Sequence, residues 1–140
     1  MDSALIVSSS EKGAEFFSEI LGSASIGKIV TVKTGGEARR LLMECDFDLV
    51  VINAPLSDES GESLSKHVAS RGISQVILVV KSEFFDEVSA MTEDYGVLTV
   101  SKPVSRALFW AALKLAKSAA ARVKTIQDEN SKLKQKIEDI

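Results

Sequence analysis

Five short aliphatic runs recur along the chain at near-even spacing: ALIVS (4–8), KIVTV (28–32), DLVVI (48–52), QVILVV (75–80) and GVLTV (96–100). Each is apolar nearly throughout, which is the pattern of strands covered on both faces. Between them the apolar residues fall at helical spacing: Phe17, Ile20 and Leu21, then Ala38, Leu41, Leu42 and Cys45. Leu64 and Val68 mark a third helix, and Phe84, Phe85, Val88 and Met91 a fourth. Alternating strands and helices predict an α/β fold with a parallel sheet, because parallel neighbours need crossovers that cover both faces. For five repeats the flavodoxin-like (βα)5 order 2-1-3-4-5 is expected. Ligands of such sheets sit beyond the carboxyl ends of the strands, here Ser8–Ser10, Asn53–Ala54, Val80–Lys81 and Ser101–Pro103.

The fifth helix pattern does not stop where a compact domain would. From Val104 to Ile140 there is neither Gly nor Pro, so one helix of about 55 Å is possible at 1.5 Å per residue. Val123, Asn130 and Ile137 lie seven apart, and Ile126, Leu133 and Ile140 follow three behind, which forms an a/d heptad seam. A single Asn at an a position favours a parallel two-stranded pair in register, and Glu129 at g faces Lys134 at the next e. The expected organisation is therefore a globular domain over 1–117 and a coiled-coil segment over 118–140 that makes a homodimer. Phe109, Ala112, Ala116 and Ala119 continue the same spacing backwards and are expected to extend the contact. A solitary amphipathic helix, or one folded back on the domain, is the alternative.

Composition supports one core and an appendage: 140 residues, 45% of them hydrophobic, with a single Cys. Cys45 has no partner for an intramolecular disulfide, and Asp2 precedes a short apolar run where a secretory leader would carry basic residues. No apolar stretch approaches the roughly 20 residues that cross a bilayer. A cytoplasmic protein without a membrane partner is expected. Residues 1–103 hold 9 Lys/Arg and 16 Asp/Glu, a net −7, whereas 104–140 hold 8 and 4, a net +4. The acidic part is a poor polyanion binder, and the basic tail mixes Lys with acids as solvated helix faces do.

The order and spacing of these pieces resemble bacterial response-regulator receiver domains over about residues 1–115. The resemblance rests on a polar triplet after strand 1, FDLVVIN followed by Gly61, and Lys102-Pro103 after strand 5. In that family two acids after strand 1 and an Asp ending strand 3 hold Mg²⁺, and that last Asp accepts a phosphoryl group. A Ser or Thr ending strand 4 and a Lys after strand 5 contact the phosphoryl group. Carried over residue by residue, the acids become Ser8, Ser9 and Asn53, the hydroxyl residue becomes Val80, and only Lys102 matches. Three neutral side chains offer Mg²⁺ too little charge to displace its waters, and a carboxamide is no nucleophile for an acyl phosphate. The resemblance thus implies a pseudo-receiver: a non-enzyme, with no metal or other cofactor, and with Thr99 where an aromatic switch residue is common. Lys102 is read in two ways, as an ammonium reaching Asn53 and the serines in place of the metal, or as inherited sequence at a turn before Pro103, where a cis or a trans peptide is open. The coiled-coil tail further resembles regulators with a C-terminal ANTAR module, an RNA-binding antitermination domain. RNA would then be a partner only through a domain this chain lacks.

Other features have plainer readings. Ser8-x-x-Glu11 is a helix-capping box, or the start of a flavodoxin-like phosphate loop over Ser8–Ser10 that would make the chain a small-molecule binder. Gly35-Gly36 lacks a following Lys-Ser/Thr and reads as a turn. His67, the only His, reads as a surface residue. Asp58 and Glu59 are acids in a loop without metal ligands, which makes them poor substitutes for Asn53 as phosphoacceptors.

Overall fold

The computed structural model describes residues 1–122 in full and the α5 backbone as far as Glu138. Five strands, β1 (Ser3–Ser8), β2 (Lys28–Val32), β3 (Leu49–Asn53), β4 (Gln75–Val80) and β5 (Leu98–Ser101), pair in parallel in the order 2-1-3-4-5. The intervening helices are α1 (Glu11–Ser23), α2 (Gly35–Glu44), α3 (Gly61–Ser70), α4 (Phe85–Thr92) and α5 (Arg106–Glu138). The flavodoxin-like expectation holds.

The sheet carries two cores. On one side Ala4, Ile6, Val51 and Val79 pack against Phe17 and Ile20 of α1 and Phe109 of α5. On the other side Leu5, Val50 and Leu78 pack against Leu42 of α2 and Leu64 and Val68 of α3. Central β1, β3 and β4 are buried on both faces, which explains their unbroken aliphatic runs. The edge strands β2 and β5 are mostly half-exposed or exposed, so the expectation of burial on both faces is too strong for them.

Two sequence expectations are corrected here. Phe84 and Met91 do not face the core; they are 49% and 43% exposed. The fourth helix is only 8 residues long and is flanked by 3₁₀ turns at Ser82–Phe84 and Glu93–Tyr95, which break the 3.6-residue phase assumed for it. Its buried residue is Thr92, whose hydroxyl reaches Val88 O (2.8 Å) and the Thr99 hydroxyl of β5 (3.0 Å). Thr99, at the place of the aromatic switch, is therefore tied to α4.

The second correction concerns α5. Phe109, Ala112 and Ala116 are buried against the domain's own sheet and are not available to a second chain. Their spacing is that of a core-facing stripe, which over two turns cannot be told from a heptad seam. Lys117 Nζ donates to Ala24 O (3.3 Å), and Arg106 pairs with Glu19 (3.2 Å), fixing this part of α5 along α1. The seam Val123, Ile126, Asn130, Leu133, Ile137 and Ile140 lies outside the residues described in full.

Candidate functional site

Parallel register sets Ser8, Asn53 and Val79 side by side at the carboxyl edge of the sheet. The Asn53 side chain is buried, 7% exposed, and its Nδ2 donates to Ser8 Oγ (3.0 Å). Ser8 O–H donates onward to Ser10 O (2.8 Å), so Ser8 Oγ is left to accept, and this fixes which end of the Asn53 amide faces it. Asn53 Oδ1 then has no donor among the described residues. Gly13, in the first turn of α1, is part of the same unit: a Cβ there would stand 2.4 Å from Asn53 Nδ2 and 3.1 Å from Ser8 Oγ. Helix α1 can lie this close to the strand ends only because residue 13 has no side chain.

The predicted site residues are only partly brought together. Ser8 and Asn53 touch. Ser9 is exposed and donates through its hydroxyl to Pro55 O (3.3 Å). Lys102 Nζ donates to Ala54 O (2.6 Å), the carbonyl after Asn53, and not to Asn53 or the serines. The metal-substitute reading of Lys102 is corrected to that extent, although the ammonium does brace the same loop. The Lys102–Pro103 and Ala54–Pro55 peptides are both cis. Burial lowers the Lys102 pKa from 10.5, and the positive charge of Lys81 lowers it further. Val80 leaves the site: it belongs to the opposite core and lines a separate cavity of about 310 Å³ with Leu56, Phe84 and Val88.

Local chemistry explains the remaining candidates. The cap of α1 is Ser10, which accepts from Gly13 N (3.2 Å), so the capping box expected at Ser8–Glu11 is displaced by two residues and lacks its reciprocal acid. Gly35-Gly36 opens α2 behind the Thr34 cap. The Asp58 carboxylate accepts from both Gly35 N and Gly36 N, each at 2.9 Å, and these bonds hold its pKa below the ordinary 3.8. Glu59 receives a two-pronged pair from Arg39 (2.9 and 2.8 Å). His67 is exposed at the end of α3.

No set of three or more His, Cys, Asp or Glu side chains among the described residues is placed to hold a metal. The donors at the strand ends are a carboxamide and two hydroxyls with an ammonium nearby, a set that does not fit Mg²⁺. Residues missed by sequence reasoning are Gly13, whose signal was a Gly in a helix where Ala is favoured, and Lys12. Lys12, Lys81 and Lys102 line one cleft of about 660 Å³ beside Asn53.

No protein-family model matches the sequence, and no curated protein matches it. Solved structures do. The signal receiver domain of an HD domain-containing protein from Pseudomonas fluorescens Pf-5 has a TM-score of 0.76 at 20% identity, covering 89% of this chain and 94% of that one. The receiver domain of a signal transduction histidine kinase from Syntrophus aciditrophicus gives 0.72 at 22%, over 85% and 92%. The beryllofluoride-activated NtrC4 receiver domain dimer gives 0.75 at 22%, over 86% and 99%. The chain has the receiver-domain fold. Among the described residues no helix is long and apolar enough to cross a membrane.

Proposed function

We propose that this chain is a pseudo-receiver: a response-regulator signalling module that cannot be phosphorylated by the usual Asp mechanism. The observation that carries the reading is the Asn53–Ser8 hydrogen bond at the place where that chemistry needs a nucleophilic carboxylate and its metal-binding neighbour. The nearby acids are committed elsewhere, Asp58 to the start of α2 and Glu59 to Arg39. Thr99, bonded to Thr92, ties β5 to α4, so a conformational relay through an aromatic residue at that position has no counterpart here.

Output on this reading is by assembly. Residues 1–117 form the module, and 118–140 pair in parallel through Val123, Ile126, Asn130, Leu133, Ile137 and Ile140, with nothing contributed by the core-facing Phe109, Ala112 and Ala116. The basic, heptad-patterned tail supports an ANTAR-type partnership in which RNA is bound by a domain outside this sequence. Small-molecule binding through the Ser8–Ser10 loop is less favoured, because Ser8 and Ser10 already spend their hydroxyls on Ser10 O, Asn53 and the α1 cap.

The test is intact mass spectrometry after incubation with acetyl phosphate and Mg²⁺. No phosphoryl-sized adduct is expected, for the wild type or for Asn53→Asp, since Ser8 and Ser9 still leave the metal without carboxylates. A stoichiometric adduct on either protein overturns the reading. Light scattering of the same sample should give twice the monomer mass, and Ile126→Lys with Leu133→Lys should halve it.

A further inference from the structure

The lysines around the Asn53 cleft are not explained by the fold. The ammonium groups of Lys12, at the start of α1, and Lys81, after β4, make no hydrogen bond or ion pair with any described residue. Lys102 makes one bond, to Ala54 O, and keeps two of its three donors. Among the described residues Glu83 is the only acid lining the same cleft, so the cleft is a basic spot on a domain whose residues 1–103 carry a net −7. Three ammonium groups lining one cleft with one carboxylate repel one another, Lys81 and Lys102 among them, and an anion held there reverses the sign of that term. The lowered pKa of Lys102, caused first by burial and then by Lys81, is consistent with such crowding.

Phe16, Phe17, Val79, Pro103 and Val104 add apolar lining, alongside the polar Ser10 and Ser82. About 660 Å³ lies within the roughly 300–1,000 Å³ typical of small-molecule sites. Asn53 Oδ1, buried beside the cleft, has no donor among the described residues, and a buried acceptor left bare costs about 1–3 kcal/mol.

We infer that this cleft binds a small organic anion non-covalently, with Lys12, Lys81 and Lys102 around the anionic group and Phe16 and Val104 against an apolar ring. The inference rests on the pseudo-receiver reading, in that it gives an input to a module without phosphotransfer. It differs from a phosphate loop on Ser8–Ser10, since the charge comes from lysines on three separate elements.

The probe is 4-hydroxybenzoate, which joins a carboxylate, a ring and a hydroxyl, titrated into the isotope-labelled full chain and followed by amide chemical shifts. Saturable shifts centred on Gly13 and Ser82 are expected. The neutral 4-hydroxybenzyl alcohol and inorganic phosphate should each bind about tenfold more weakly or less, a difference of about 1.4 kcal/mol. Lys12→Ala with Lys81→Ala should weaken 4-hydroxybenzoate binding by a similar factor, whereas Lys66→Ala, on α3, should not. Both substituted lysines are exposed, so the fold should survive, which an unchanged melting temperature verifies. Absence of saturable shifts overturns the inference. So does equal binding of the alcohol or of phosphate, or binding that survives the double substitution. A mass adduct with acetyl phosphate would sink the pseudo-receiver reading alone and leave the titration interpretable.

Discussion

Two polar clusters lie a few residues apart on the same edge of the sheet and are built on opposite principles. Around Asp58, Glu59 and Arg39 each side chain has found a partner: two backbone N–H groups for Asp58 and a two-pronged pair between Glu59 and Arg39. Around Asn53 the account does not close among the described residues, with an acceptor lacking a donor, two lysine ammonium groups lacking partners and a third resting on a carbonyl. The difference teaches that acids remain on this edge where they hold loops to helices. At the ends of β1 and β3 stand Ser8, Ser9 and Asn53 instead. A fully satisfied cluster specifies a structure, whereas an incomplete one is where a ligand has something to gain.

The largest expected effect tests how tightly the incomplete cluster is packed. Gly13→Ala puts a Cβ 2.4 Å from Asn53 Nδ2, and overpacking of this kind costs about 1–3 kcal/mol. Alanine also gains about 0.5–1 kcal/mol over glycine in a helix. In the wild-type background the clash should win and lower stability. In Asn53→Ala the 2.4 Å clash is gone and only Ser8 Oγ, at 3.1 Å, remains close, so the same Gly13→Ala change should cost clearly less. Denaturant unfolding of the four proteins measures the coupling, and simple additivity would show that the two residues do not touch.

The complete cluster should respond more mildly. Arg39→Met removes a two-pronged pair whose side chains are 35% and 20% exposed. Solvent screening limits the loss to about 1 kcal/mol or less. A loss several times larger would mean that the pair, and not the Asp58 cap, holds the β3–α3 loop to α2.

How much of this was legible in the sequence follows from the range of the interactions. The central strands were readable because burial on both faces leaves an unbroken aliphatic run, and the sheet order followed from connectivity. The Asn53–Ser8 pair was half legible: the neutral residues ending β1 and β3 are plain in the sequence, but their hydrogen bond depends on strand register. The Asp58 cap was not, since Asp58 lies 23 and 22 residues from the glycines it bonds, and a loop acid looks the same whether or not it is engaged. Phe109, Ala112 and Ala116 were misread because a stripe facing its own core and one facing a partner share a spacing over two turns. Val80 was placed by counting residues along β4, whereas its side chain points away from Asn53 because successive strand positions alternate faces.

Acid titration sharpens the contrast further. Bonds from Gly36 N, then Gly35 N, lower the Asp58 pKa from 3.8, so the folded state holds this proton less readily than the unfolded chain. The contribution to stability is present above 3.8 and is lost as pH falls through the lower folded value. Asp58→Ala should therefore differ from the wild type at neutral pH and converge toward it at the acid end. A constant difference down to the acid limit would show that the ionised form has no special role.

The smallest effect concerns the charges left open in the incomplete cluster. The Lys102 pKa lies below 10.5, first because the ammonium is partly buried and second because Lys81 is near. A lowered lysine value means that the folded state sheds its proton sooner than the unfolded chain. Stability attributable to this group therefore rises with pH between the folded value and 10.5. Lys81→Ala removes the second cause and leaves the first, so the Lys102 value should move part of the way back toward 10.5, and the alkaline gain in stability should shrink. Side-chain carbon shifts of Lys102 across an alkaline titration measure the movement. An unchanged value would mean that Lys81 and Lys102 do not share the cleft electrostatically, while a lower one would mean that Lys81 holds an anion or carboxylate there that its removal releases.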